Sequence, residues 1–257
     1  MVCEAWDWRQ PSGRLCDMIC RSLMLQLERQ GLLTLPARKC TPNNPLAAGR
    51  AKPRRVDVDQ SPVSGLLKEL GPLEMRQVRR SRWERLWGSL IEYHHYLGYC
   101  HLVGEQLKYL VFCAGRPIAA FGFSSAPRHL APRDRFIGWS ASQRRANIHL
   151  IAINTRFLIL PWVSVPHLAS HLLARIVRTV SADWQQIYHH PIYFLETFVD
   201  TERFRGTCYR AAGWGYLGLT TGRGKNDHTK KPNRSLKAVW GYPLTVDFRR
   251  HLCSEGT

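Results

Sequence analysis

Residues Pro191–Lys225 read PIYFLETFVDTERFRGTCYRAAGWGYLGLTTGRGK, and their pattern decides the fold. An apolar run, Ile192–Leu195, predicts a buried strand that leads into two carboxylates, Glu196 and Asp200. Arg203–Ala212 has helical potential, and Gly213 closes it. Trp214–Leu219 predicts a second strand, and Thr220–Lys225 is a basic turn punctuated by Gly222 and Gly224. Acid, helix, aromatic residues and basic loop thus fall within one strand–helix–strand unit.

Upstream, Leu168, Leu172, Ile176 and Val180 mark an amphipathic helix from Pro166 to about Tyr188. Ile148–Ile153 and Phe157–Trp162 are strand candidates, preceded by a loop over Arg128–Trp139 and a short turn that Ser142 would cap. Leu107–Phe112 and Pro117–Phe123 predict a β-hairpin around Gly115. Trp83, Leu86, Trp87, Leu90 and Ile91 predict a helix from about Glu74 to Tyr96, with Arg76, Arg79, Arg80, Arg82 and Arg85 outward. A strand–helix–strand crossover requires a parallel pair within the sheet. The expected class is therefore α+β, a mixed β-sheet with flanking helices. Before it, residues 41–64 read as a linker rich in Pro and Arg, and 1–40 as a helical, partly winged-helix-like segment. That segment is a helix ending at Gly31 followed by a short strand, Leu32–Pro36. The main domain is placed at 65–248, with a tail at 249–257.

Lys and Arg number 37 against 19 Asp and Glu, a formal net charge of +18. A surplus of this size speaks of partners rather than fold, and nucleic acid is the commonest polyanion. Eight cysteines show neither paired metal-ligand spacing nor a disulfide framework. No apolar run reaches 18 residues, so no membrane partner is expected, and a cytoplasmic location is the default reading.

Two resemblances arise at these residues. Strand, helix, strand, then a short helix ending at Tyr209 and Gly213-Trp214 resembles the second half of the GNAT N-acetyltransferase fold. There the sheet splays and an acyl-CoA pyrophosphate sits on glycine-containing backbone at a helix start. This chain instead offers Ser164, His167 and Ala169, which argues against CoA. The second resemblance is to the DruA family of Druantia anti-phage systems, with relatives attached to transposases. It rests on Arg156–Trp162, Val165–His171, Leu195–Asp200, Gly206–Ala212 and Thr221–Lys225, in order across about residues 65–248. The resemblance implies antiviral defence or mobile-element work on DNA, with other defence subunits as partners. Family members usually carry more N-terminal sequence, so a shortened N-terminus is expected.

Glu196, Asp200 and Tyr209 are the candidate catalytic residues. In an extended strand Glu196 and Asp200 share a face. Paired acids suit phosphodiester chemistry on a divalent metal, with Asp134 or His149 as a third ligand. Equally, Glu196 fits a buried pair with Arg145, Arg156 or Arg210, and Asp200 fits a cap on the following turn. Tyr209 fits either a general acid, as in an acyl or aminoacyl transferase, or a core aromatic. Arg144, Arg145, Arg210, Arg223, Lys225, Lys230 and Lys231 are the candidate nucleic-acid contacts. Gly222–Lys225 lacks the spacing of a Walker A loop but suits close approach to a phosphate backbone.

Overall fold

The computed structural model describes residues 2–10, 13–37, 52–102, 104–222 and 235–255. The chain divides into two compact units, Met1–Arg50 and Ala51–Thr257. In the first, α1 (Val2–Ala5) and α2 (Asp17–Arg29) enclose buried Cys3, Cys16 and Cys20. The helix stops before Gly31, whose φ of 72° suits a residue without a Cβ. The strand expected over Leu32–Pro36 does not form. Leu35 N instead donates to Glu28 Oε1 at 3.2 Å, and no partner strand is present among the described residues.

The second unit contains β1 (Val63–Ser64), β2 (Leu73–Gln77), α3 (Glu84–His94), β3 (Gln106–Cys113), β4 (Arg116–Ser125), α4 (Ala131–Ile137) and α5 (Ala141–Asn147). There follow β5 (Ile151–Ile159), β6 (Val163–Ser164), α6 (Leu168–Ile176), α7 (Val180–Tyr188), β7 (Phe194–Asp200), α8 (Thr207–Ala211), β8 (Gly215–Leu219), β9 (Lys237–Pro243) and α9 (Phe248–Leu252). Seven strands form one mixed sheet in the order β2-β3-β4-β5-β7-β9-β8. β5 and β7 are parallel, joined through α6 and α7, and the other neighbours are antiparallel. The expected α+β class, a mixed sheet with flanking helices, is what forms.

Several local expectations are corrected. The long helix over Glu74–Tyr96 is instead β2 and α3. Leu73–Gln77 pair antiparallel with Cys113–Tyr109, and Arg80 between the two elements has φ 59°, outside any right-handed helix. Arg128–Trp139 is not all loop, because α4 occupies its centre, with Pro132 in the first turn and Gly138 at φ 83° closing it. α5 is capped by Ser140, not Ser142: Ser140 Oγ accepts from Gln143 N at 3.1 Å, and Gln143 Oε1 accepts from Ser140 N at 2.8 Å. The two strand candidates around Phe157 are one strand, β5. The helix to Tyr188 breaks into α6 and α7.

β9 was not anticipated. It lies between β7 and β8, so the predicted strand–helix–strand unit passes over an intervening strand. Gly241 at its centre allows this: a Cβ there would collide with the Phe194 ring and meet Leu217 Cδ1 at 2.8 Å. β5 and β7 pair only over Ile151–Asn154 and Phe194–Thr197. Beyond these residues β5 stays with β4 and β7 with β9, so the sheet opens into a cleft.

Candidate functional site

Glu196 lies in β7 opposite Gly241 of β9 and is 0% exposed, as is Arg133 of α4. Arg133 Nη1 donates to both Glu196 oxygens at 3.3 Å. The same guanidinium holds Asp134 Oδ1 at 2.8 Å and donates to the carbonyls of Pro127 and Arg128 at 2.9 and 3.4 Å. Asp134 also accepts from Trp139 Nε1 at 3.0 Å and from Leu130 N at 3.2 Å. Glu196 and Asp134 thus converge on one cation, as two acids would on a metal, but the cation is Arg133. Burial outweighs the attraction of Arg133, and Asp134 adds repulsion, so the Glu196 carboxyl is pushed up to about 7.

The partner anticipated among Arg145, Arg156 and Arg210 is therefore Arg133. The short helix that carries it has a local signal, Pro132 in its first turn and Gly138 at its end, but nothing local marks Arg133 as the partner. Asp200 accepts from Glu202 N at 3.2 Å and from Ser235 Oγ at 3.3 Å, ordering the turn after β7. His149 stands in a 3-10 turn, its ring 5.1 Å from that of His190. Among the described residues no group of three or more His, Cys, Asp or Glu is placed to hold a metal ion.

Tyr209 belongs to the opposite face of the sheet. Its hydroxyl donates to Asn154 Oδ1 at 2.7 Å, while Thr197 Oγ1 donates to Asn154 O at 3.0 Å. Asn154 and Thr197 are register partners across β5 and β7. Thr197 follows Glu196 in the strand, and successive side chains alternate faces. Glu196 and Tyr209 are therefore not brought into one constellation. Burial raises the Tyr209 hydroxyl above its ordinary value.

Where β5 and β7 part, a cavity of about 500 Å³ opens. Its walls come from the segment after α3 (His95, Tyr96), from β5 (Asn154, Arg156), from the turn before α8 (Phe204) and from α8 itself (Tyr209). Ala169 of α6 also lines it, and His167 enters that helix at φ 64°.

Of the candidate basic residues, Arg144 and Arg145 lie together on α5. With Arg128 and His129 they line a surface pocket of about 290 Å³. Arg128 and Arg145 are exposed and have no carboxylate within 4.0 Å among the described residues. Arg144 reaches Asp134 at 3.5 Å. Arg210 is exposed on α8, away from this pocket. Arg223, Lys225, Lys230 and Lys231 lie outside the described residues. Arg128 and His129 were missed as contacts because nothing local marks them; α4 and α5 bring them beside Arg144 and Arg145.

A family profile described as Druantia protein DruA matches residues 26–243. No curated protein matches the chain. Among solved structures, it is similar to an N-acetyltransferase from Staphylococcus aureus Mu50 at 13% identity and TM-score 0.43, covering 68% of this chain and 100% of that one. It is also similar to a chimera of the Vibrio cholerae spermidine N-acetyltransferase SpeG and hSSAT, at 12% identity and TM-score 0.42, covering 67% and 95%. A third is the ribosomal-protein-S18-alanine N-acetyltransferase of Escherichia coli, at 9% identity and TM-score 0.41, covering 68% and 96%.

Proposed function

Given that the chain belongs to the DruA family, and so to a component of anti-phage defence, we propose that its part in that defence is to bind nucleic acid through a basic face. The observation that carries this reading is the pocket of Arg128, His129, Arg144 and Arg145, held by two short helices on a chain of net charge +18. Guanidinium groups suit phosphate because their fork of donors matches its oxygens. Two of these arginines are exposed and uncommitted to carboxylates among the described residues, so neutralising a phosphate breaks no internal ion pair there. The Asp134 network fixes the other side of α4, and Arg144 anchors α5 to it. The basic run Arg223–Lys231 and Arg210 extend the same proposal as further phosphate contacts. Other subunits of the defence system are the second class of partner, and an accessory role in a mobile element would use the same basic face.

The nuclease and transferase alternatives receive no support from the geometry: Glu196 is enclosed by Arg133, and Tyr209 donates to Asn154 from a buried position.

The test is binding of the purified chain to labelled duplex and single-stranded DNA and RNA across a salt series. Binding should weaken steeply with salt. For duplex DNA, replacing Arg128, Arg144 and Arg145 with alanine should reduce the log–log salt slope by roughly 3, about one unit per lost phosphate contact. Absence of salt-dependent binding to every probe would refute the proposal.

A further inference from the structure

The cavity between the parting strands contains a charge that the protein leaves unanswered. Arg156 of β5 is 9% exposed, yet no carboxylate lies within 4.0 Å of it among the described residues. Nε donates to Gly98 O at 3.0 Å, Nη1 to Thr155 O at 2.7 Å and Nη2 to Cys100 Sγ at 3.3 Å. Two of the five guanidinium N–H groups thus have no acceptor among the described residues. Buried charges are ordinarily paired, because desolvation is costly. Here the guanidinium lines an open cavity of about 500 Å³, within the size range of small-molecule sites.

The rest of the wall specifies what accompanies the anion. Tyr96 and Phe204 line the cavity, are 39% and 50% exposed, and meet edge-on at 5.3 Å. The Tyr96 ring already stacks on His95 at 4.8 Å and lies 5.0 Å from the Arg203 guanidinium, so the half-exposed Phe204 ring, met by Tyr96 edge-on, is the surface that suits a flat, stackable group. Arg205 and Lys237 add two more cations to the lining. We propose that this cavity binds a nucleoside phosphate, its phosphate on Arg156 and its base against Phe204. Two sources share this chemistry: a free mononucleotide, and the phosphorylated end of a strand. The site is separate from the Arg128–Arg145 pocket and does not depend on the nucleic-acid reading.

The experiment is calorimetric titration of the full chain with adenosine 5′-monophosphate, adenosine, inorganic phosphate, and a short oligothymidylate with and without a 5′-phosphate. The nucleotide should bind at least tenfold more tightly than adenosine or phosphate alone. Stronger binding of the 5′-phosphorylated oligonucleotide than of the monophosphate would assign the strand end; the reverse would assign the free nucleotide. Arg156→Gln should weaken the nucleotide at least tenfold, and Lys68→Ala, at an exposed cation that lines neither pocket, should leave it unchanged. Because Arg156 also bonds two backbone carbonyls, Ala169→Trp provides a second arm by filling the cavity; it should abolish binding with the melting temperature retained. Bound phosphate would also draw the His95 imidazole, now held down at about 4 by burial and by Arg156, back up, readable by NMR titration. No binding by the wild-type chain, equal affinity for inorganic phosphate and nucleotide, or full binding by Ala169→Trp would overturn the proposal.

Discussion

Glu196 illustrates how a single buried carboxyl couples stability to pH. Its folded-state value, about 7, lies above the ordinary 4.5. The folded state therefore binds the proton more tightly than the unfolded chain. Its contribution is fully present below pH 4.5 and is lost as pH rises through 7, a fall on the order of 3 kcal/mol. Glu196→Gln should remove this slope, measured as denaturant midpoints from pH 4.5 to 7.5. An unchanged slope in the variant would mean that other groups set it. The complementary change, Arg133→Met, should cost about 3 kcal/mol by leaving Glu196 and Asp134 without their shared cation. Adding Glu196→Gln should recover part of that loss, and a double-mutant cycle reads the coupling. The identity of the partner was not legible in the sequence. Arg133, Arg145, Arg156 and Arg210 are equivalent as letters, and only the packing of α4 on the sheet selects the first.

Among the elements, those with strong local signals were legible and those that depend on a distant partner were not. The β3–β4 hairpin, the apolar face of α3 and the start of α6 follow from periodicity and punctuation. The residues of β2 carry no strong strand preference of their own, and it is pairing with β3 that makes them a strand. β9 has no local signal of its own kind: its place between β7 and β8 is set by pairing with two strands distant in the chain. Its fit depends on Gly241, so Gly241→Ala should destabilise the domain by about 1–3 kcal/mol through contact with Phe194 and Leu217, visible as a lower melting temperature. At α5, Ser140→Ala should cost about 1 kcal/mol by deleting the capping box, and it should weaken nucleic-acid binding through looser placement of Arg144 and Arg145. Unchanged stability in Ser140→Ala would show that contacts with α9 alone hold this helix.

At the scale of the whole molecule, charge and family point to a polyanionic partner, while the fold decides where that partner is met. Among the described residues no helix is long and apolar enough to cross a membrane. The cationic surplus predicts that association with any nucleic acid weakens with ionic strength, whichever residues make contact. The sequence alone determined the charge, the α+β alternation, the family and the short list of acids, aromatics and basic residues, because composition and periodicity are local properties. Only the tertiary structure decided that Glu196 faces Arg133 while Tyr209 lies across the sheet. It also decided that Arg128 and His129 join Arg144 and Arg145, and that Arg156 lines a cavity without a carboxylate partner among the described residues. The physical reason is that strand alternation, the parting of β5 from β7 and the insertion of β9 fix which distant side chains meet. Burial then determines what their charges are worth.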